Sequence, residues 1–248
     1  MPLDVVLKIK RQQAPGQPPS WETFNIQASP GMNLITALME IRKRPVNARG
    51  ERSTPVAWDM NCLEEVCGAC SMLVNGRVRQ ACSTLLETLD QPIELAPMTK
   101  FPVVRDLVVD RSGMFESLKR AKAWIPLDGS WDQGPGPKQP PGAQQEAYVL
   151  SRCMTCGCCL EACPNVNPRS PFMGPAVISQ VRLFNMHPTG AFHAAERLEA
   201  MMDEGGIHEC GNAQNCVAVC PKEIPLTTSI ARVNRDVTIH AIRTRLGF

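Results

Sequence analysis

Val5, Leu7 and Ile9 alternate with Val6, Lys8 and Lys10, a period of two that predicts a half-buried strand. A Pro/Gln/Gly turn follows over residues 12–19, and then Phe24 and Ile26 alternate with Thr23, Asn25 and Gln27 in a second strand. The period changes next: Leu34, Ala37, Leu38 and Ile41 fall at i, i+3, i+4 and i+7, behind Asn33 as N-cap and ahead of Pro45 as a stop. Asn75-Gly76 is a two-residue hairpin signal, and residues 92–95 read as a closing strand. The order is strand, strand, helix, cysteine loop, hairpin, strand, which predicts a small sheet wrapped over one helix.

The second half keeps the helical period. Pro175 stands at a first helical position, with Val177, Ile178, Val181 and Phe184 as the buried face. Phe192, Ala195, Leu198 and Met202 predict another helix, ended by Gly205-Gly206, with Met201-Met202 as core or interface filler. Ile230, Val233, Val237 and Ala241 mark a last one. Between the halves, Leu107, Val108, Met114, Phe115 and Leu118 suggest a helical connector, against the grain of Gly113. Residues 126–145 are Pro-, Gly- and Gln-rich, including the run Gly134-Pro135-Gly136-Pro137. They are expected to be neither strand nor helix but an extended linker pinned by Trp124 and Trp131. The expected division is residues 1–122, a linker at 123–145, and residues 146–248.

Composition changes this picture in one respect. The net charge of +2 with both signs interspersed gives no footprint for nucleic acid. The apolar stretches fall short of the ~18 residues that a membrane-spanning helix needs. Met1-Pro2-Leu3-Asp4 is followed by no apolar run of a signal peptide. Membrane contact is therefore expected to come through a partner. The twelve cysteines are another matter. A disulfide framework belongs to short secreted chains, and zinc to sets of four ligands; neither accounts for the spacings found here.

Cys62-x4-Cys67-x2-Cys70, with Cys82 delivered by the hairpin, has the plant-type spacing for a [2Fe–2S] centre. Gly68 is expected to let the backbone approach that cluster. Cys153-x2-Cys156-x2-Cys159-x3-Cys163-Pro164 is the bacterial ferredoxin run, whose fourth cysteine serves a second cluster. Cys210, Cys216 and Cys220-Pro221 supply the other half, with Ala213 standing where a full repeat has cysteine. The crossover rule gives Cys153, Cys156, Cys159 and Cys220 to a [4Fe–4S] cluster. It leaves Cys163, Cys210 and Cys216 for a site with three thiolates, which predicts [3Fe–4S]; a four-iron cluster with an oxygen ligand is the alternative. Cys158 breaks the spacing if used as a ligand and is expected to pack nearby. Glu64 and Glu65 are expected to face solvent, and His208 to be an ordinary surface or core residue.

The chain resembles the iron–sulfur subunits of succinate dehydrogenases and fumarate reductases. The likeness rests on the plant-type half, the segment Phe101-Pro102-Val103-Val104-Arg105-Asp106-Leu107-Val108-Val109-Asp110 after it, and all eleven expected ligands. It implies an α+β fold: an N-terminal plant-type ferredoxin β-grasp domain followed by an all-α bacterial-ferredoxin-like domain. It also implies an electron-transfer subunit of a succinate:quinone oxidoreductase, with no substrate chemistry in this chain alone. The implied partners are a FAD-containing flavoprotein subunit that oxidises succinate and a membrane-anchor cytochrome b subunit with haem b and quinone. The chain would then lie on the cytoplasmic face of the plasma membrane, held through the anchor. Pro164-Asn165-Val166-Asn167-Pro168 carries no tryptophan, and Gly211 stands after Cys210; both resemble the menaquinone-linked branch, in which Pro164 borders the quinone site. The alternatives are a fumarate reductase working in reverse, an iron–sulfur subunit of another flavoenzyme (such proteins lack cysteines matching 62–82), and a free soluble ferredoxin.

Overall fold

The computed structural model describes residues 3–126 and 138–247. Trp131 and the run 134–137 lie outside the described residues. The chain forms two compact units. One extends as far as Arg111 and takes in Met154–Glu161; the other holds Ser112–Cys153 and the residues from Ala162 on. The expected boundaries near 122 and 146 thus differ from the edges of the compact units, because the chain leaves the first unit after Arg111 and re-enters it for eight residues.

In the first unit, β1 (Leu3–Arg11) and β2 (Ser20–Ala28) pair antiparallel, as their alternation predicts. The hairpin of β3 (Ser71–Val74) and β4 (Arg77–Gln80) turns at Asn75-Gly76, and β5 (Ile93–Ala96) joins it to β1. The sheet order is β2-β1-β5-β3-β4, with β5 parallel to β1. Val5, Leu7 and Ile9 pack with Phe24, Ile93 and Leu95 against Leu34, Leu38 and Ile41 of helix α1 (Leu34–Lys43). Asn33 caps that helix through an Oδ1 that accepts the Thr36 N–H at 2.9 Å. Its Nδ2 donates to the Cys82 carbonyl at 3.0 Å, so one residue fixes both the helix start and the last cysteine of the loop.

One expectation about the segment after the sheet is corrected. Leu107 and Val108 are not helical. Val103–Arg105 (β6) and Val108–Val109 (β7) form a two-stranded hairpin, turned by Asp106 at φ 47°. β-Branched residues favour strands, and aspartate tolerates the left-handed region. Helix α2 begins only at Ser112 and ends at Arg120. Asp106 is fully buried and accepts from Arg11 Nε at 3.1 Å, from the Gln12 N–H at 3.0 Å and from the Ala57 N–H at 2.9 Å. Arg11 occupies the inward phase of β1, so its charge has to be paired inside.

The second unit is helical. Its core gathers Val177, Ile178 and Val181 of α5 (Pro175–Met186), Leu198 and Met201 of α6 (Ala194–Met202), and Ile230, Val233 and Val237 of α8 (Leu226–Leu246). Two short helices, α4 (Cys158–Glu161) in the first unit and α7 (Asn215–Ala218) in the second, follow cysteine loops. Helix α3 (Pro141–Ser151) starts inside the expected linker. A proline at the first helical position loses no hydrogen bond, so Pro140-Pro141 opens a helix instead of forbidding one. Trp124 is about half exposed (47%) and is not pinned by burial. The expected face of α6 is also corrected: Phe192 is 86% exposed and Met202 is exposed, whereas Met201 is buried. A 3-10 turn at Gly190–His193 shifts the phase before the helix begins. Arg197 consequently points inward and donates to Asn185 Oδ1 at 2.7 Å, to the Trp124 carbonyl at 3.0 Å and to the Gly190 carbonyl.

Asp106→Ala should strip the buried Arg11 of one of its two carboxylate partners, Glu22 being the other, leave the Gln12 and Ala57 N–H groups without their acceptor, and cost about 3 kcal/mol. A urea titration of the full chain followed by circular dichroism should show a large fall in midpoint for this variant, and a smaller one for Asp106→Asn, which keeps an acceptor oxygen.

Candidate metal centres

The loop from Cys62 to Cys70 is irregular, and its backbone turns donors toward sulfur. Leu63 at φ 62° and Glu65 at φ 55° adopt the left-handed region without being glycine. Such alternation folds successive N–H groups into a concavity that suits an anion. The N–H groups of Glu64, Val66 and Cys67 lie 3.4, 3.3 and 3.3 Å from Cys62 Sγ, and that of Ala69 lies 3.4 Å from Cys67 Sγ. The Glu64 and Val66 donors hold the Cys62 thiol below its usual range, at about 7. Cys70 and Cys82 sit on the buried side, and burial pushes Cys70 up to about 12, with the Cys82 thiol close by. A thiol held that high gives up its proton readily only to a metal. Glu64 is exposed, and Glu65 accepts from Ser83 Oγ at 2.6 Å.

Met154–Glu161 carries Cys156, Cys158 and Cys159 into this same unit. Gly68 makes a close approach to this segment. A Cβ on Gly68 would stand 2.7 Å from Cys156 Cβ and 2.8 Å from Cys156 Cα, and its φ is +72°. The carbonyls turned outward by both loops are paired. Arg111 donates to Gly68 O at 2.6 Å, Ala69 O at 2.5 Å and Cys156 O at 3.4 Å. Ser71 Oγ lies 2.9 Å from both Gly68 O and Cys156 O. The Glu161 carboxylate accepts from the Thr99 and Lys100 N–H groups at 2.9 and 3.0 Å. Cys158 is fully buried beside Gln80 and Ser71. Its neighbour Cys156 is driven upward by the Cys158 thiol first and by burial second. Cys153 and Cys220 belong to the second unit, where Cys220 Sγ accepts the Ile224 N–H at 3.4 Å.

In the second unit Cys163, Cys210 and Cys216 line one pocket together with Pro164, Asn165, Gly211 and Ala213. Burial raises the Cys216 thiol, and the Cys163 and Cys210 thiols beside it raise it further. Ala213 brings no donor atom to the pocket wall. Asn165 donates to the Glu209 carbonyl at 2.8 Å, and its Oδ1 lies 2.9 Å from where a Cβ on Gly211 would be. A side chain at position 211 would have to displace that amide. His208 is exposed and faces Glu209 at 3.4 Å. Among the described residues no three His, Cys, Asp or Glu side chains gather tightly enough for a single metal ion; a cluster spreads its thiolates over several irons. Arg111, Ser71 and Glu161 carry no sequence signal for these roles. Gln80, a polar residue in the inward phase of β4, was the one available signal.

Gly68→Ala should cost at least about 1–2 kcal/mol from the left-handed backbone alone, plus the clash with Cys156. Iron content and visible absorbance of the purified chain should both fall relative to the parent.

The family of 2Fe-2S iron-sulfur cluster binding domains matches residues 6–116, and the 4Fe-4S dicluster domain family matches residues 149–224. The chain is 64% identical over 239 residues to the succinate dehydrogenase iron-sulfur subunit of Bacillus subtilis, across 96% of this chain and 94% of that one. It is 30% identical over 235 residues to the fumarate reductase iron-sulfur subunit of Wolinella succinogenes, across 94% and 95% of the two chains. Its fold matches a chain of the Mycobacterium smegmatis Sdh1 complex in the apo form with a TM-score of 0.82, at 23% identity and over 96% of each chain. A plant-type sheet domain followed by a helical dicluster domain, and two-thirds identity over nearly the whole length, place this chain in the family of iron–sulfur subunits of succinate dehydrogenases and fumarate reductases.

Proposed function

We propose that this chain is the electron-transfer subunit of a succinate:quinone oxidoreductase, working between a FAD-bearing flavoprotein and a quinone at a cytochrome b membrane anchor. The observation that carries this is the shared pocket of Cys163, Cys210 and Cys216 with Ala213 in its wall. It supports a three-thiolate site alongside a four-cysteine loop and a bacterial-type run. Cys62, Cys67, Cys70 and Cys82 would hold [2Fe–2S]. Cys153, Cys156, Cys159 and Cys220 would hold [4Fe–4S], and Cys163, Cys210 and Cys216 would hold [3Fe–4S]. Bound clusters supply one-electron redox chemistry, tuned by hydrogen bonds to sulfur and by exposure. The chain's own contribution is to aim N–H donors at Cys62 and Cys67 and to bury Cys70 and Cys216.

Attachment through the anchor on the cytoplasmic face belongs to the same proposal; among the described residues no helix is long and apolar enough to cross a membrane. Menaquinone is the proposed acceptor. The support is the absence of tryptophan beside Cys163 and the Asn165 amide packed where a side chain on residue 211 would stand. Pro164, in the wall of the three-cysteine pocket, is the proposed border of the quinone site. The relative at 64% identity is a succinate dehydrogenase subunit, whereas the fumarate reductase subunit of Wolinella succinogenes stands at 30%, so the succinate-oxidising direction is preferred.

Purified with its partner subunits, the chain should give an EPR signal from an oxidised three-iron centre and another from a reduced two-iron centre. Succinate should then reduce a menaquinone analogue. Loss of either signal would refute the partition of cysteines. Ala213→Cys should abolish the oxidised three-iron signal and raise the iron content, whereas Cys216→Ala should abolish it and lower the iron content.

A further inference from the structure

A glutamine in the core of a small sheet demands an explanation, because a buried amide is costly unless its donors and acceptor are paired. Gln80 is 2% exposed and stands opposite Ser71 across the β3–β4 hairpin. Its Oε1 lies 3.5 Å from Cys70 Sγ. Its Nε2 lies 2.7 Å from Ser71 Oγ and 3.3 Å from Cys158 Sγ. In this arrangement the Cys70 thiol donates to the amide oxygen. A ligand thiolate has no proton to give, so the oxygen would then face a negative sulfur. The two ends of an amide have the same shape, and turning it over resolves the conflict. Nε2 then donates to Cys70, while Oε1 accepts from the Cys158 S–H and the Ser71 O–H. Ser71 is free to do this because Arg111 covers the Gly68 and Cys156 carbonyls that the hydroxyl otherwise serves.

We propose that Gln80 is a positioning residue for the two-iron centre: it donates an amide N–H to the Cys70 thiolate and so raises the reduction potential, with Cys158 and Ser71 holding the amide in that orientation. The inference rests on Cys70 being a ligand, as proposed above. The sign follows from charge. Reduction adds an electron to the centre, and a donor on a ligand sulfur stabilises the added charge. Cys158 acquires a role through it, as the proton donor that keeps the amide from turning back.

The test is a potentiometric EPR titration of the assembled complex. Gln80→Met should shift the two-iron midpoint to lower potential and leave the three-iron midpoint unmoved. Cys158→Ala should shift it the same way by less, and Cys158→Ser, which keeps a donor, should restore the parent value. An unmoved two-iron midpoint in Gln80→Met, with its signal intact, overturns the proposal. If that variant cannot hold the centre, equal midpoints for Cys158→Ala and Cys158→Ser overturn it instead. A parent complex with no two-iron signal would overturn the ligand assignment itself, and this inference with it.

Discussion

The pairing of backbone carbonyls is the constraint on which both cysteine loops of the first unit depend. A loop that turns its N–H groups toward sulfur turns its C=O groups the other way, and a buried carbonyl without a donor is costly. Here Gly68, Ala69 and Cys156 present theirs to a single guanidinium, Arg111. The approach is close enough that only glycine fits at position 68. The peptide scaffold is thus settled by hydrogen bonds of its own, before any metal is considered.

The two ends of that scaffold treat their thiols differently. Cys62 is partly exposed and surrounded by amide donors, which favour its ionised form. Cys70 faces the interior, where desolvation favours the neutral form. Four cysteines that look equivalent in a spacing pattern therefore sit in unequal fields. Asymmetry of this kind is a lever by which a protein can distinguish one edge of a cluster from another.

Whatever depends on neighbours in sequence was legible. The alternation of β1, the Asn33 cap, the Asn75-Gly76 turn and the N-terminal proline of α5 are local signals, and each stands where the pattern put it. The cysteine spacings are local as well. What could not be read depends on distant partners or on phase. Asp106 looks like an ordinary turn residue until Arg11, 95 positions away, is placed beside it. Phe192 falls on the expected buried face by its spacing, yet a 3-10 turn at Gly190–His193 shifts the phase and leaves it exposed. Pro140-Pro141 marked a break that turned out to be a beginning. The contact of Gly68 with Cys156, 88 positions away, is another pairing that no local pattern announces.

The discontinuity of the first unit has a consequence for how the chain comes into being. Its sheet is complete in sequence by Ala96, yet its interior also needs Met154–Glu161. On the ribosome, therefore, the N-terminal unit cannot mature as soon as it emerges. Gln80 and Ser71 remain without Cys158 and the Cys156 carbonyl until dozens of further residues, including helix α2 and helix α3, have been synthesised. Connectivity imposes a schedule in which the first unit closes only after Glu161 has cleared the exit tunnel.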